Sequence, residues 1–142
     1  MKVGLLGDSN IESGVAQVIF DIAGATKKHF TTKNYGAGLT GICVVLMCRD
    51  PWLNFTRRVR LSKKEKILYM DVMLNLEHMK SLSFQERRQV IIPIISDEIM
   101  AITSRYKIGD FDQNAFFADA IYWFKQLLSH DGDEKWARWP EK

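Results

Sequence analysis

The stretch LTGICVVLMC, residues 39–48, decides the fold class of this 142-residue chain. Seven consecutive residues, Ile42–Cys48, are apolar. A strand without polar alternation is typically covered on both faces, so we expect it at the centre of a sheet. The glycine-containing segment Asn34–Gly38 predicts a turn before the strand. The strand should end at Asp50-Pro51, because proline cannot donate to a β-ladder.

Two runs of alternating polarity follow the central strand. Residues 55–61 alternate apolar with mostly basic side chains, and residues 66–76 place five apolar side chains on one face. The five are Leu68, Met70, Val72, Leu74 and Leu76. The short segment Ser62–Glu65 joins the two runs, which predicts an antiparallel hairpin. Residues Lys2–Leu6 are also apolar and predict a first strand.

Three segments have apolar residues at helical spacing. Ser9 and Ser83 each open a Ser-x-x-Glu capping box, and Asp112 is a typical N-cap residue. The segments are residues 10–29, about 84–106 and 113–129. Pro93 lies inside the second and predicts a kink or break near Ile92. The third has an apolar stripe, formed by Phe117, Ile121, Phe124 and Leu128.

The order strand, helix, three strands, then helices predicts an α+β fold. We expect a mostly antiparallel sheet of about four strands with three or four helices packed on it. The length fits a single domain over residues 1–142, in which residues 130–142 form a C-terminal tail.

Composition predicts an ordinary globular protein, since 46% of the residues are hydrophobic and 26% are charged. Cys43 and Cys48 are five residues apart and should point to opposite faces of their strand, as buried, reduced thiols. The chain starts without the long apolar core of a signal peptide. Its longest apolar run is far short of the ~20 residues that span a bilayer. We therefore expect a cytoplasmic protein without a membrane partner.

The segment Gly7-Asp8-Ser9 is typical of one family of serine hydrolases. Hydrolysis needs a base within reach of the hydroxyl and a group that orients this base. None of the three histidines, His29, His78 and His130, has an aspartate three residues before it, as that family requires. We therefore interpret Ser9 as a helix cap. No residue pattern indicates a catalytic site, a metal site or a cofactor.

Charge is concentrated at the predicted hairpin. Residues 57–66 include six basic residues and one acidic residue, a local charge of +5 in a chain whose net charge is +3. Such a hairpin suits nucleic-acid phosphates or an acidic protein, and it also protects a sheet edge from unwanted pairing. The candidate basic residues are Arg57, Arg58 and Arg60. The candidate acidic surface comprises Asp97, Glu98, Asp110 and Asp112.

Three runs carry a family likeness: KNYGAGLTGICVVLMC, KILYMDVMLNLEHMKSLSFQERRQVII and YKIGDFDQNAFFADAIYWF. A Tyr35-Gly36 turn precedes an apolar strand, and a strand containing Tyr69-x-Asp71-Val72 precedes a helix containing Glu86-Arg87-Arg88. A Phe111-Asp112 segment then precedes a helix containing Phe116 and Phe117. Over about 100 residues, this order resembles small bacterial immunity proteins of polymorphic-toxin and contact-dependent growth inhibition systems.

The resemblance implies a cytoplasmic, non-catalytic protein without cofactors. Its partner would be the C-terminal domain of a cognate toxin, blocked at its active site or in its access to the target. Inhibitors of nuclease toxins are often acidic, to match a basic cleft. This chain is mildly basic, so either its acidic groups are clustered locally or its toxin is not a typical basic nuclease. The alternative is a nucleic-acid-binding module that uses the 57–66 hairpin. The sequence does not indicate the oligomeric state.

Overall fold

A computed structural model describes residues 1–49 and 58–132 of the chain. The described strands are β1 (Lys2–Gly7), β2 (Gly41–Arg49), β3 (Val59–Ser62) and β4 (Ile67–Asn75). The described helices are α1 (Ser13–Thr31), α2 (Leu76–Lys80), α3 (Phe84–Thr103) and α4 (Gln113–Ser129). The α+β class is confirmed. Arg57 and most of the predicted tail, from residue 133 onward, lie outside the described residues.

The sheet is mixed, so the prediction of a mostly antiparallel sheet is wrong. Its strand order is β1-β2-β4-β3. β2 pairs in parallel with both β1 and β4, and only the β3–β4 hairpin is antiparallel. A parallel neighbour needs a long crossover, which α1 provides between β1 and β2. After β2 the chain reaches the edge position of β3 first, and the hairpin then returns β4 to the place beside β2.

The sheet buries one face against the helices. Of the five residues expected on the buried face of β4, Leu68, Met70, Val72 and Leu74 are each at most 1% exposed, whereas Leu76 begins α2 and is half-buried. In β2, Val44 and Leu46 are fully buried beside them. These side chains form one cluster with buried residues of α1, α3 and α4. The alternation in β4 therefore predicted the core side of the sheet correctly.

Helix α1 begins at Ser13, later than expected, and Ser9 does not cap it. The N-cap is Glu12, whose Oε1 accepts from the backbone N–H of Gly14 at 3.0 Å. Asp8 explains the delay. Its Oδ1 accepts from the N–H of Asn10 and its carbonyl accepts from the N–H of Ile11, so a separate turn precedes the helix.

The predicted start of α3 is confirmed, and of the kink or break expected near Ile92 the break is absent. Ser83 and Glu86 form the expected capping box, with both reciprocal hydrogen bonds present. The helix runs through Pro93 without a break and ends at Thr103. The loss of one hydrogen bond at proline is offset by the packing of a helix whose Ile91, Ile92 and Ile95 are all buried.

Helix α4 has the expected bounds and the expected cap, since Asp112 accepts from the N–H of Ala115 at 3.0 Å. Its buried stripe is offset from the expected one. The buried residues are Phe116, Ala120, Phe124 and Leu127. Ile121 and Leu128 are exposed instead. Two neighbouring apolar stripes run along this helix, and periodicity alone does not distinguish which of them faces the core.

Arg88, from the Glu-Arg-Arg segment of α3, connects three helices. The residue is only 3% exposed, and its Nε donates to Oδ2 of Asp21 in α1 at 2.9 Å. Its other nitrogens donate to the carbonyl oxygens of Leu127 and His130 at the end of α4. A buried guanidinium needs these partners, because an unpaired buried charge is strongly destabilising.

Asp119 of α4 holds the end of α1 and the turn that leads into β2. It accepts from the hydroxyl of Tyr35 and pairs with Nε2 of His29 at 3.2 Å. Partial burial acts to raise the pKa of Asp119, but the hydrogen bonds from Tyr35 and His29 and the charge of Lys33 outweigh it and lower the pKa. The carboxylate is therefore stabilised in its ionised form by the fold.

The cap assignment makes a first prediction. Glu12→Ala should lower the free energy of unfolding by about 1 kcal/mol, because the N–H of Gly14 loses its partner. Ser9→Ala should change it by less than about 0.5 kcal/mol, as exposed positions outside a cap do. Urea denaturation of both variants checks this. A larger loss for Ser9→Ala than for Glu12→Ala would contradict the assignment.

The Asp119 contacts make a second prediction. Asp119→Asn should destabilise the protein by about 1 kcal/mol at neutral pH, since hydrogen bonds to a charged, partly exposed group are lost. The pKa of Asp119 is lower in the folded state than in the unfolded state. Its contribution to the free energy of unfolding is therefore complete above the pKa of about 4 in the unfolded state. The contribution disappears as pH falls through the lower pKa of the folded state.

Denaturation of Asp119→Asn and wild type at several pH values tests this dependence. The two free energies of unfolding should converge in acid and differ at neutral pH. The matched control is Asp97→Asn, at an exposed position of α3, which should follow wild type throughout. A difference that grows as pH falls would show that Asp119 does not act through its charge.

Candidate functional site

The face of the sheet opposite the helices is the main candidate site, and we call it the open face. Its residues lie at alternate strand positions and are absent from the core cluster. They are Lys2, Gly4 and Leu6 of β1, Cys43, Val45 and Met47 of β2, Tyr69, Asp71 and Met73 of β4, and Arg60 of β3, with Arg58 just before it.

Strand register aligns these residues in rows across the sheet. One row runs from Gly4 through Cys43 and Tyr69 to Arg60. The next row contains Leu6, Val45 and Asp71. A groove of about 500 Å³ lies over the β2, β4 and β3 side of these rows, and Arg58 also lines it.

Arg60 and Tyr69 form the aromatic end of the groove. The guanidinium carbon of Arg60 lies 4.7 Å from the centre of the Tyr69 ring, a cation–π contact. The Tyr69 hydroxyl donates to Oε2 of Glu65 at 3.0 Å, and this hydrogen bond raises the pKa of the tyrosine. The contacts pre-orient two side chains of the types most often found at the centre of protein interfaces.

Asp71 anchors Arg58 at the other end of the groove. Asp71 is only 4% exposed, and its Oδ2 accepts from both the backbone N–H and the Nε of Arg58, at 3.3 and 3.1 Å. The side chain of Arg58 is nevertheless 78% exposed. Asp71 thus holds Arg58 at its backbone and at Nε, while most of the arginine side chain remains accessible to a partner.

The open face combines apolar surface with a basic border. Leu6 and Met73 are 56% and 41% exposed, and Cys43 and Val45 are half-buried between them. The hairpin adds three exposed lysines in its turn, Lys63, Lys64 and Lys66. An apolar centre with tyrosine and arginine and a charged border is typical of a protein-binding surface.

The structure places two of the three candidate arginines, Arg58 and Arg60, on the open face. Sequence reasoning did not select the apolar part of this face, in particular Leu6 and Met73. For Met73 a signal existed, because alternation assigns it to the face opposite the buried stripe of β4. For Leu6 the signal was absent, since Lys2–Leu6 is too short and too apolar to show its exposed side.

The four candidate acidic residues lie in two separate places. Asp110 and Asp112 flank the start of α4, where Asp110 accepts from the N–H of Ala37 and Asp112 serves as the cap. Asp97 and its neighbour Glu98 lie on α3. Asp97 lines a groove together with Lys125 of α4. Lys125 is twelve residues beyond the start of α4, or about 18 Å along the helix, so Asp97 lies far from Asp110 and Asp112.

Within residues 1–49 and 58–132, the chemistry of a hydrolase or metal site is not assembled. No described histidine is hydrogen-bonded to Ser9, and His29 is instead paired with Asp119. No group of three or more metal-ligating side chains occurs among the described residues. The two cysteines are free, and burial raises the pKa of both thiols.

A known protein family matches most of this chain. The family model described as immunity protein 44 matches residues 1–126. The chain belongs to this family. The resemblance to small bacterial immunity proteins is thereby confirmed, and the match includes every residue of the open face. No curated protein and no solved structure matches the chain.

Membership in an immunity-protein family implies a cognate toxin as partner. The open face offers accessible anchors of the kind found at protein-binding surfaces. Among the described residues, no helix has the length and apolarity required to cross a bilayer.

Proposed function

We propose that this immunity protein neutralises its toxin in the cytoplasm by binding the toxin's C-terminal domain through the open face of the sheet. The bound protein covers the toxin's active site or its route to the target, and no catalysis by this chain is involved. Family membership carries the assignment to toxin neutralisation. The accessible anchors of the open face support the choice of surface.

The physical basis is pre-organisation. Arg60 is held over Tyr69, and Arg58 is held by Asp71, before any partner arrives. Side chains that are already oriented lose less conformational entropy on binding, so more of the contact energy contributes to affinity. Leu6 and Met73 add exposed apolar area whose burial favours association.

Charge complementarity specifies the partner further. The described part of the hairpin carries five basic residues, at positions 58, 60, 63, 64 and 66, and one acidic residue, Glu65. We therefore expect an acidic toxin surface around an apolar patch, in contrast to the basic cleft of a typical nuclease. The complementary charges should accelerate association and make it dependent on salt.

The first test of this function is recovery of the partner. Affinity capture from the native cells at moderate salt should yield one stoichiometric protein that is toxic when expressed alone and harmless when co-expressed with this chain. Binding should be about 1 nM or tighter, as in protease–inhibitor complexes. A captured protein without toxicity, or a toxin that this chain does not neutralise, would contradict the proposal.

The surface is tested with charge reversals. Arg60→Glu combined with Lys63→Glu should weaken toxin binding by about 10- to 100-fold, because both positions lie at the basic border. The matched control is Lys107→Glu combined with Lys125→Glu, which makes the same change in net charge at exposed positions of the helical layer. Equal losses in both pairs would leave only a general charge effect and would contradict the open-face assignment.

The acidic residues form the competing surface. Asp97→Lys is the cleanest probe, because Asp97 is exposed and Asp112 has a structural role as a helix cap. Isothermal titration with the toxin should show no change for this variant. A loss comparable to that of the Arg60/Lys63 pair would move the binding site to α3.

The basic hairpin also supports a second candidate function, binding of nucleic acid. Arg57, Arg58 and Arg60 would contact phosphates, and Tyr69 would offer a stacking surface. This function predicts capture of RNA or DNA in place of a toxin, with an affinity that falls steeply as salt rises. Under the immunity function, titration with duplex DNA and single-stranded RNA should show no binding at physiological salt.

A further inference from the structure

The two edges of the sheet differ in their protection against pairing. The outer strand β3 carries Arg60, is preceded directly by Arg58 and is followed by three lysines, and these charges discourage a further strand. The opposite edge strand, β1, has neither a charged residue nor a proline from Val3 to Gly7. No other described strand pairs with its outer side.

Hydrogen bonds show which backbone groups of β1 are free to pair. The N–H groups of Lys2 and Asp8 donate to carbonyl oxygens of Thr40 and Leu46, on the side of β2. Backbone groups of successive residues in a strand point to opposite edges. The N–H and C=O groups of Val3, Leu5 and Gly7 therefore point outward.

A groove runs along this edge. It has a volume of about 980 Å³ and is bordered by β1 and by the outer side of α1. The α1 residues that line it are mostly small, at Ala16, Ala23 and Gly24, with Phe20 between them at 42% exposure. The groove thus has room for a strand beside β1 and an apolar contact near its middle.

We propose that the occupant of this edge is the β1 strand of a second copy of this chain, which makes a two-fold dimer with a continuous eight-stranded sheet. In an antiparallel pair centred on Leu5, Val3 lies opposite Gly7 of the other copy. The outward groups of Val3, Leu5 and Gly7 then form the hydrogen-bonded pairs of the ladder. The interface is isologous: Leu5 contacts its own equivalent at the axis, and every other contact occurs twice with the two copies exchanging roles.

The same register is complementary in charge and in size. It places Lys2 opposite Asp8 of the other copy, twice by symmetry, on the face where directly opposed side chains come closest. Hydrogen bonds from Asn10 and Arg49 lower the pKa of Asp8, so the carboxylate is ionised. Leu6 lies opposite Gly4 of the other copy, and Val3 lies opposite Gly7, so that both of these side chains face a glycine, while Leu5 meets its own equivalent at the axis.

The helices fit the same arrangement. The two-fold axis of a continuous sheet is perpendicular to it, so both α1 helices lie on the same side. Small residues at Ala16, Ala23 and Gly24 let two helices approach closely, and Phe20 would meet its equivalent near the axis. On the other side of the sheet, the Lys2–Asp8 and Gly4–Leu6 pairs place the dimer contact at the border of the open face, and none of these contacts involves the toxin.

Sedimentation equilibrium of the purified full chain tests the proposal without any partner. The wild type should have twice the monomer mass of 16.4 kDa at micromolar concentrations. Phe20→Asp should be monomeric, since it places two carboxylates together at the axis. The control is Ile121→Asp on α4, where exposure is 41% against 42% for Phe20. This control should remain dimeric.

A cross-linking experiment tests the register itself. In a Cys43→Ser background, Gly4→Cys combined with Leu6→Cys should form a disulfide-linked dimer on mild oxidation. Opposite residues of a non-hydrogen-bonded pair have Cα atoms about 4.5 Å apart, within disulfide range. A Cβ at position 4 meets no atom within 4 Å, so the thiol fits. Either single cysteine variant faces a non-cysteine residue and should not cross-link.

Three results would overturn the proposal. The first is a wild type that remains monomeric up to millimolar concentration. The second is a dimer that persists in Phe20→Asp while circular dichroism shows this variant to be folded. The third is cross-linking of the single cysteine variants as efficient as that of the double variant, which would indicate random collision. Because none of these measurements uses the toxin, they are independent of the proposed function.

Discussion

The parallel pairing of β2 with both β1 and β4 is the constraint on which the rest of this structure depends. A strand with two parallel neighbours lies inside the sheet, where the apolar residues of β2 are covered by its surroundings. The crossover through α1 then fixes β1 at one edge. The hairpin must occupy the other side, with β4 inside and the basic β3 outside. The positions of both candidate binding regions follow from this one arrangement.

The arrangement makes the two faces of the sheet chemically different. The helices cover one face, where Val44, Leu46 and Leu68 are buried. The other face keeps half-buried apolar residues and receives the arginines of the hairpin. Because β4 lies between β2 and β3, Tyr69 and Asp71 are close enough to Arg60 and Arg58 to hold them in place. A sheet with the strands in sequence order would keep these pairs but would separate Tyr69 and Asp71 from Cys43 and Val45 of β2.

Much of the local structure followed from the sequence, since it depends on short-range chemistry. The Ser83 box, the Asp112 cap and the alternation from Leu68 to Leu74 were all readable. The strand order was not, because hairpin chemistry predicts which strands pair antiparallel and gives no information on where the hairpin joins the sheet. The prediction that Ser9 caps α1 was wrong for a similar reason, because Asp8 forms a separate turn and the helix begins only at Ser13. On α4, two apolar stripes were equally periodic, and only tertiary packing selects Phe116 over Phe117.

The central claim is that the toxin binds the open face, and the two native cysteines offer a direct measurement. Cys43 lies half-buried in the open-face groove, whereas Cys48 is buried on the helix side. We would measure the alkylation rate of Cys43 in the free protein and in the toxin complex, with Ala118→Cys as an exposed reference on α4. The account predicts that bound toxin slows alkylation at Cys43 and leaves the rate at position 118 unchanged. Unchanged alkylation of Cys43 together with protection of position 118 would contradict it and place the toxin on the helices.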